Sequence, residues 1–271
     1  MDLDECKRSK RVVCCRGPPI PSTNINVPYF YTLTQQNTNV NNYGKSIAFN
    51  GTGTILVVAS DSGIYFYSYV NGQYEELRVV NVNPLTAIAV SQEGFAAKND
   101  LTGVITVGYI KDNKLVILGY QYDGYVFGTQ VIAQNIGYPT QLSVNGNGSV
   151  FAYYNNIKKS VQYTYFHKGW RSVTGGFLAS NVIDMSLASG SCYPNGQLAV
   201  LCSNNTVYYY PQLDKEPVRL NTAGVTKVVL SGNGQLLFFV DSVSKLLYIY
   251  KFNGRYLVLT QQIGLNLPGG E

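Results

Sequence analysis

The chain has 271 residues, a formal net charge of +5, only 13% charged residues, 23 tyrosines and 27 glycines. Such a length can bury a sizeable core, and the abundance of aromatic, β-branched, Gly and Asn residues points to strands joined by turns. No apolar run reaches the roughly 18 residues of a membrane-spanning helix, and no apolar stretch follows the basic N-terminus as in a secretory leader.

Residues 1–27 read as an extended arm. Lys7, Arg8, Lys10, Arg11 and Arg16 fall close together with no acid among them, around the apolar patch Val12, Val13, Cys14 and Cys15. Pro18, Pro19 and Pro21 favour an extended course, since each fixes φ and removes a backbone donor. Basic runs are usually solvated tails. Here the Val12–Cys15 patch predicts a docking arm that a neighbouring protein orders. The rest of the chain shows no basic stripe, so a nucleic-acid partner is not expected. The five cysteines, three of them in the first fifteen residues, do not form a disulfide framework and are expected to be reduced.

From residue 45 onward one unit recurs five times, at about 45–80, 86–132, 140–176, 184–220 and 226–262. Compare "AFNGTGTILVVASDSGIYFYSYVNGQYEELRVV" (48–80) with "LSGNGQLLFFVDSVSKLLYIYKFNGRYLVLTQQ" (230–262). Each copy has a polar turn, an apolar run, a second turn, a Tyr-rich run, a third turn and a final strand. Asn-Gly at 50–51, 71–72, 145–146, 195–196 and 253–254, and Asp-Gly at 123–124, fit hairpin turns, whose central residues take positive φ. The period matches four-stranded propeller blades. The second and third strands, such as Ile55–Ala59 and Leu246–Phe252, are apolar on both faces, as blades covered from both sides require and sandwich strands do not. The predicted fold is all-β: a five-bladed β-propeller of four-stranded antiparallel blades over 28–265, with an arm before it and a short tail, 266–271, after it. "PYFYTLTQQN" (28–37) echoes "GRYLVLTQQI" (254–263), so Tyr29, Tyr31 and Leu33 are expected to close the ring as a closing or additional strand on the last blade, with a partial sixth blade as the alternative.

The pattern Ser/Asn-x-x-Gly, apolar run, turn, Gly-x-Tyr-x-Tyr, Asn-Gly resembles the blade of FG-GAP-like and WD40-like propellers. The resemblance implies a fold and no activity. Departures are plain: the chain has one Trp (Trp170) and one His (His167), where WD40 repeats carry Trp-Asp and Gly-His in each blade. The loops "ASDSG" and "NNIKK" lack the acids of FG-GAP calcium loops, and calcium needs several oxygen ligands.

The residues for catalysis are scarce. A single histidine in a hairpin makes a metal site or a Ser-His triad hard to build. Glu75 and Glu76 are neighbours on a strand and point to opposite faces. Asp214 and Glu216 flank Lys215 in a loop, while Asp100, Asp123, Asp184 and Asp241 lie in separate copies, where only convergence at the centre could pair them. No enzyme activity, cofactor or metal is expected. The function expected is that of a structural or scaffolding subunit of a larger protein assembly, of the kind found as a minor capsid or cement protein of a virion. The alternative is a receptor- or glycan-binding propeller.

Overall fold

The computed structural model describes residues 46–265 apart from 51–52, 61–62, 83–85, 92–104, 121–125, 138, 140 and 178–180. The arm, the ring-closing strand at Tyr29, Tyr31 and Leu33, and the tail 266–271 lie outside the described residues.

The described chain forms strands and turns with no helix. Blade 1 is β1 (Ser46–Phe49), β2 (Ile55–Ala59), β3 (Gly63–Val70) and β4 (Gln73–Asn81). Blade 2 is β5 (Ala87–Val90), β6 (Ile105–Lys111), β7 (Lys114–Tyr120) and β8 (Val126–Gln134). Blade 3 is β9 (Leu142–Val144), β10 (Val150–Asn155), β11 (Ser160–Phe166) and β12 (Trp170–Phe177). Blade 4 is β13 (Val182–Leu187), β14 (Leu198–Cys202), β15 (Thr206–Tyr210) and β16 (Val218–Asn221). Blade 5 is β17 (Val225–Leu230), β18 (Leu236–Asp241), β19 (Leu246–Phe252) and β20 (Leu257–Gly264). Each blade is a sheet of four strands in chain order, and the result is the five-bladed β-propeller that the repeat predicts.

Local chemistry fixes the turn between the first two strands of each blade in a repeated way. In blade 1 the Asn50 N–H donates to the Ile55 carbonyl (3.0 Å), and the Ile55 N–H donates back to Asn50 Oδ1 (2.9 Å). The same acceptor role falls to Ser91 Oγ for Thr106 N–H (2.8 Å), Asn145 Oδ1 for Val150 N–H (3.0 Å) and Ser231 Oγ for Leu236 N–H (3.0 Å). Blade 4 has Ala188 at this backbone position, its N–H on the Gln197 carbonyl, and alanine has no acceptor to offer. Ser191, three residues on, supplies the oxygen to Gln197 N–H instead (3.0 Å).

This corrects the Asn-Gly expectation at Asn50, 145–146 and 195–196, where these residues do not take positive φ, and at 253–254, where only the glycine does. At Asn71–Gly72 both residues take positive φ and close a two-residue hairpin, as that dipeptide should. At 50–51 and 145–146 the asparagine works through its side chain, and the positive φ falls later, on Gly53 and Gly148. The dipeptide is shared, but these turns are held by different groups.

Asn145 does one thing more: its Nδ2 donates to the Ser191 carbonyl of the next blade (2.7 Å). Asn145→Ala orphans a buried N–H and a buried carbonyl together and is expected to cost about 2–3 kcal/mol in urea unfolding. Ser231→Ala, whose hydroxyl is less enclosed, should cost about 1 kcal/mol. Equal losses at the two sites would show that the contact between blades carries no weight.

Packing follows the blade order. Buried clusters join blades 1 and 2 (Val57, Phe66, Val107, Tyr109), blades 2 and 3 (Ile110, Ile117, Phe151, Tyr153), blades 3 and 4 (Tyr154, Tyr163, Val200, Tyr210) and blades 4 and 5 (Leu201, Tyr209, Leu237, Phe239). No buried cluster among the described residues joins blade 5 to blade 1. The strand β2 is buried along its whole length, as its composition predicts, but β19 is half-buried throughout. The difference is positional: β19 packs on blade 4 through one face, and its other face meets no second blade among the described residues.

Candidate interaction surfaces

The innermost strands set the wall of the ring, and their polar side chains are used in joining it. Ser143 Oγ accepts from Leu187 N–H (2.9 Å), and Ser186 Oγ accepts from Leu230 N–H (3.0 Å). Asp184 joins the same seam: Oδ2 accepts from Val228 N–H (2.9 Å) and Oδ1 meets Lys227 Nζ (3.2 Å). Its partner lysine is 71% exposed, so the ion pair itself adds little and the backbone bond is the useful part.

The other acids are also accounted for. Asp241 accepts from Val243 N–H, Ser244 N–H and Ser244 Oγ (2.8, 3.1 and 2.6 Å), which closes the turn before β19. Those bonds, the Ser244 side chain first, hold its carboxyl below the usual carboxylate range. Asp184 serves the seam between blades 4 and 5 and Asp241 a turn within blade 5, so the two do not form a pair. Glu76 accepts from Tyr67 OH (3.3 Å) and Glu75 from Gln73 Nε2 (3.4 Å), both on the outer strand β4. Asp214 and Glu216 are exposed in the loop after β15. Asp100 and Asp123 lie outside the described residues, as do the arm residues Lys7, Arg8, Lys10, Arg11, Val12, Val13 and Arg16. Among the described residues no three His, Cys, Asp or Glu side chains gather as metal ligands would.

His167 sits half-buried in the β11–β12 hairpin, where its carbonyl accepts from Arg171 Nε (3.4 Å). Trp170 packs against Phe151 and Phe166, with ring centroids at 6.0 and 5.6 Å, so its indole is committed to the core between blades 2 and 3. That removes the one tryptophan from service as a sugar platform.

The tyrosines divide in two. Tyr163 and Tyr210 are buried between blades 3 and 4, and their hydroxyls have no hydrogen-bond partner among the described residues. Burial pushes both phenols above their ordinary range, well above it for Tyr163, with neighbouring tyrosines adding to the effect there. A phenol held neutral in this way is no general base near pH 7. Tyr165 and Tyr193 stack at the edge of the same seam, 4.1 Å apart and 12° from parallel. Blade 1 instead presents its aromatics outward. Phe49 and Tyr69 are 50% and 45% exposed, and each packs on Tyr74, with centroids at 5.8 and 5.1 Å.

The second exposed feature is β20. It reads Leu-Val-Leu-Thr-Gln-Gln-Ile-Gly, with no charge in eight residues, and Val258, Leu259 and Ile263 are each about two-fifths exposed. It is the outermost strand of its sheet, so one row of its backbone N–H and C=O groups has no partner strand within the blade. The outer strand β8, Val-Phe-Gly-Thr-Gln-Val-Ile-Ala-Gln, is likewise uncharged, whereas β4 carries Glu75, Glu76 and Arg78, β12 carries Arg171 and β16 carries Arg219, the charges by which sheets guard an edge. Sequence reasoning passed over this, although the missing charge was readable in the letters.

The fold and its seams define a β-propeller. The solved structures it is similar to are also propellers. One is the Cps50 (Swd1) β-propeller domain of Myceliophteria thermophila, at TM-score 0.58 and 10% identity, covering 83% of this chain and 72% of that one. Another is a chain of a nidogen/laminin complex, at TM-score 0.54 and 10% identity, covering 80% and 78%. At such identity the likeness is one of fold alone. No family model matches the sequence, and no curated protein matches it. No helix among the described residues is long and apolar enough to cross a membrane.

Proposed function

We propose that the protein is a non-catalytic scaffold, a subunit that binds other proteins within a larger assembly. The observation that carries this reading is the uncharged, exposed outer strand β20, an edge that a solitary protein would guard and a partner strand or apolar face could cover. The assembly we assign to it is a virus particle, in the role of a minor capsid or cement protein. A rigid ring with broad faces and a basic arm, Lys7 to Arg16, supports that role, and function on such folds resides in surface sites.

Cross-linking mass spectrometry on the native assembly tests this directly. Partner cross-links should concentrate on 256–264 and on the arm. Leu259→Lys places a charge on the edge strand and should lower co-assembly about tenfold or more, which is 1.4 kcal/mol, without changing the thermal midpoint of the isolated ring. Unchanged co-assembly of that variant would remove β20 from the interface. A purified monomer that forms no complex and turns over a substrate would overturn the scaffold reading itself.

A further inference from the structure

The apolar far faces of blades 5 and 1 are built to be covered. On blade 5 the register places Val229 opposite Phe238 and Phe238 opposite Ile249, so the three share one face. Val240 and Leu247 continue it, and Val258 extends it on β20, opposite the exposed Lys251 that marks its outer limit. Val229 is 54% exposed and Val258 40%, while the residues between them are half-buried. The residues at the matching places in blade 4, Ala199 and Leu201, are fully buried because blade 5 covers them. Blade 5 thus carries an interface face like those of its neighbours, with no fifth seam made from it among the described residues.

Blade 1 shows the other side of the same position. Leu56 and Val58 are buried, yet their cluster is drawn from blade 1 alone. One sheet cannot bury its own face, so another segment contributes to the cover. The cover is partial: Phe49 and Ile47, opposite Leu56 and Val58 in the register, remain 50% and 58% exposed.

We propose that residues 28–45 of this chain dock between these two faces as a partial blade beyond the five described, with Tyr29–Gln35 as its outer strand and the basic stretch Lys7–Arg16 left to partners. Chain order supports this occupant over a second copy of the protein. In the blades described, an outermost strand passes directly into the next innermost one: β4 ends at Asn81 and β5 begins at Ala87; β12 ends at Phe177 and β13 begins at Val182. The segment 28–37 repeats the sequence of an outermost strand, β20, and stands just ahead of β1, an innermost one. That is the place of the last strand of a blade preceding blade 1, a position between blade 5 and blade 1 in the ring. The Tyr, Phe and Leu of "PYFYTL" suit the two apolar faces, and blade 5 is complete with its own four strands. The proposal takes the alternative of the sequence reading, a partial further blade, over a strand added to the edge of blade 5.

A photo-cross-linking residue at Tyr31 in the full chain is the test, with light scattering to fix the oligomeric state. Intramolecular cross-links to both 63–81 and 246–264 are expected. Links to 257–264 with none to blade 1 would place the segment on the β20 edge, and links between molecules alone would hand the position to a second copy; either overturns the proposal. Hydrogen exchange gives a separate reading. A chain lacking 1–44 should exchange about tenfold or more faster over 55–59 and 236–241 while 150–154 and 198–202 hold their protection. Unchanged exchange at both end blades would also overturn it.

Discussion

Gly108→Ala will destabilise the ring by about 1–3 kcal/mol or more, although it adds one methyl to a β-strand where alanine is ordinarily tolerated. Gly108 lies mid-strand in β6 on the face toward blade 3, and a Cβ built there runs into the ring of Phe151. Phe151 is fully buried and packs against Trp170 as well, so the ring has no free volume to retreat into. Overpacking of a tight core costs about 1–3 kcal/mol and occasionally more. Phe151→Ala should cost about 3–5 kcal/mol from the other side of the same contact, by the cavity it leaves. Because the two residues are in contact, the double variant should be less damaged than the sum of the two losses. Urea unfolding of the four proteins measures the coupling. Strict additivity would mean that strand pairing, and not the seam between blades, sets the loss at Gly108.

The fold was legible in the letters because a repeat states its geometry several times over. Turn residues at 50–54, 145–149 and 231–235 recur at matching places, and the apolar runs after them, β2, β10 and β18, need a neighbour on either side. The site was less legible for a physical reason. Exposure depends on what lies beyond a strand, and composition does not report that. β19 and β15 are both rich in tyrosine and apolar residues, yet β15 is buried and β19 is half-open, because blade 4 has two described neighbours and blade 5 has one. The Asn-Gly turns show a second limit: one dipeptide served either as a pair of positive-φ residues or as a side-chain acceptor, and only the hydrogen bonds distinguished them.

The tyrosines make the ring unstable to alkali, and steeply so. Tyr163, Tyr209 and Tyr210 are buried, and burial raises all three phenols above the ordinary value of 10.0; Tyr209 is pushed up to about 12. In the unfolded chain these groups lose their protons near pH 10, while in the native ring they keep them. Above that pH the native state binds more protons than the unfolded one, so stability, fully present below pH 10, falls as pH rises toward the folded values. Each such phenol removes about 1.4 kcal/mol per pH unit, so the three remove about 4 kcal/mol per unit. Against a margin of about 5–15 kcal/mol, cooperative unfolding should occur between about pH 11 and 13. Tyrosinate absorbance and circular dichroism should then change together. Ionisation of these tyrosines with the sheet signal intact would show that they titrate in the folded ring. Two substitutions separate the contributions. Tyr210→Phe removes a hydroxyl with no hydrogen-bond partner among the described residues, so it should raise the alkaline midpoint with no loss at neutral pH, or a gain of about 1 kcal/mol. Tyr209→Phe breaks the bond its hydroxyl donates to the Gly234 carbonyl (2.8 Å) across blades 4 and 5. It should raise the same midpoint while costing about 1–2 kcal/mol at pH 7, where the stranded carbonyl is felt.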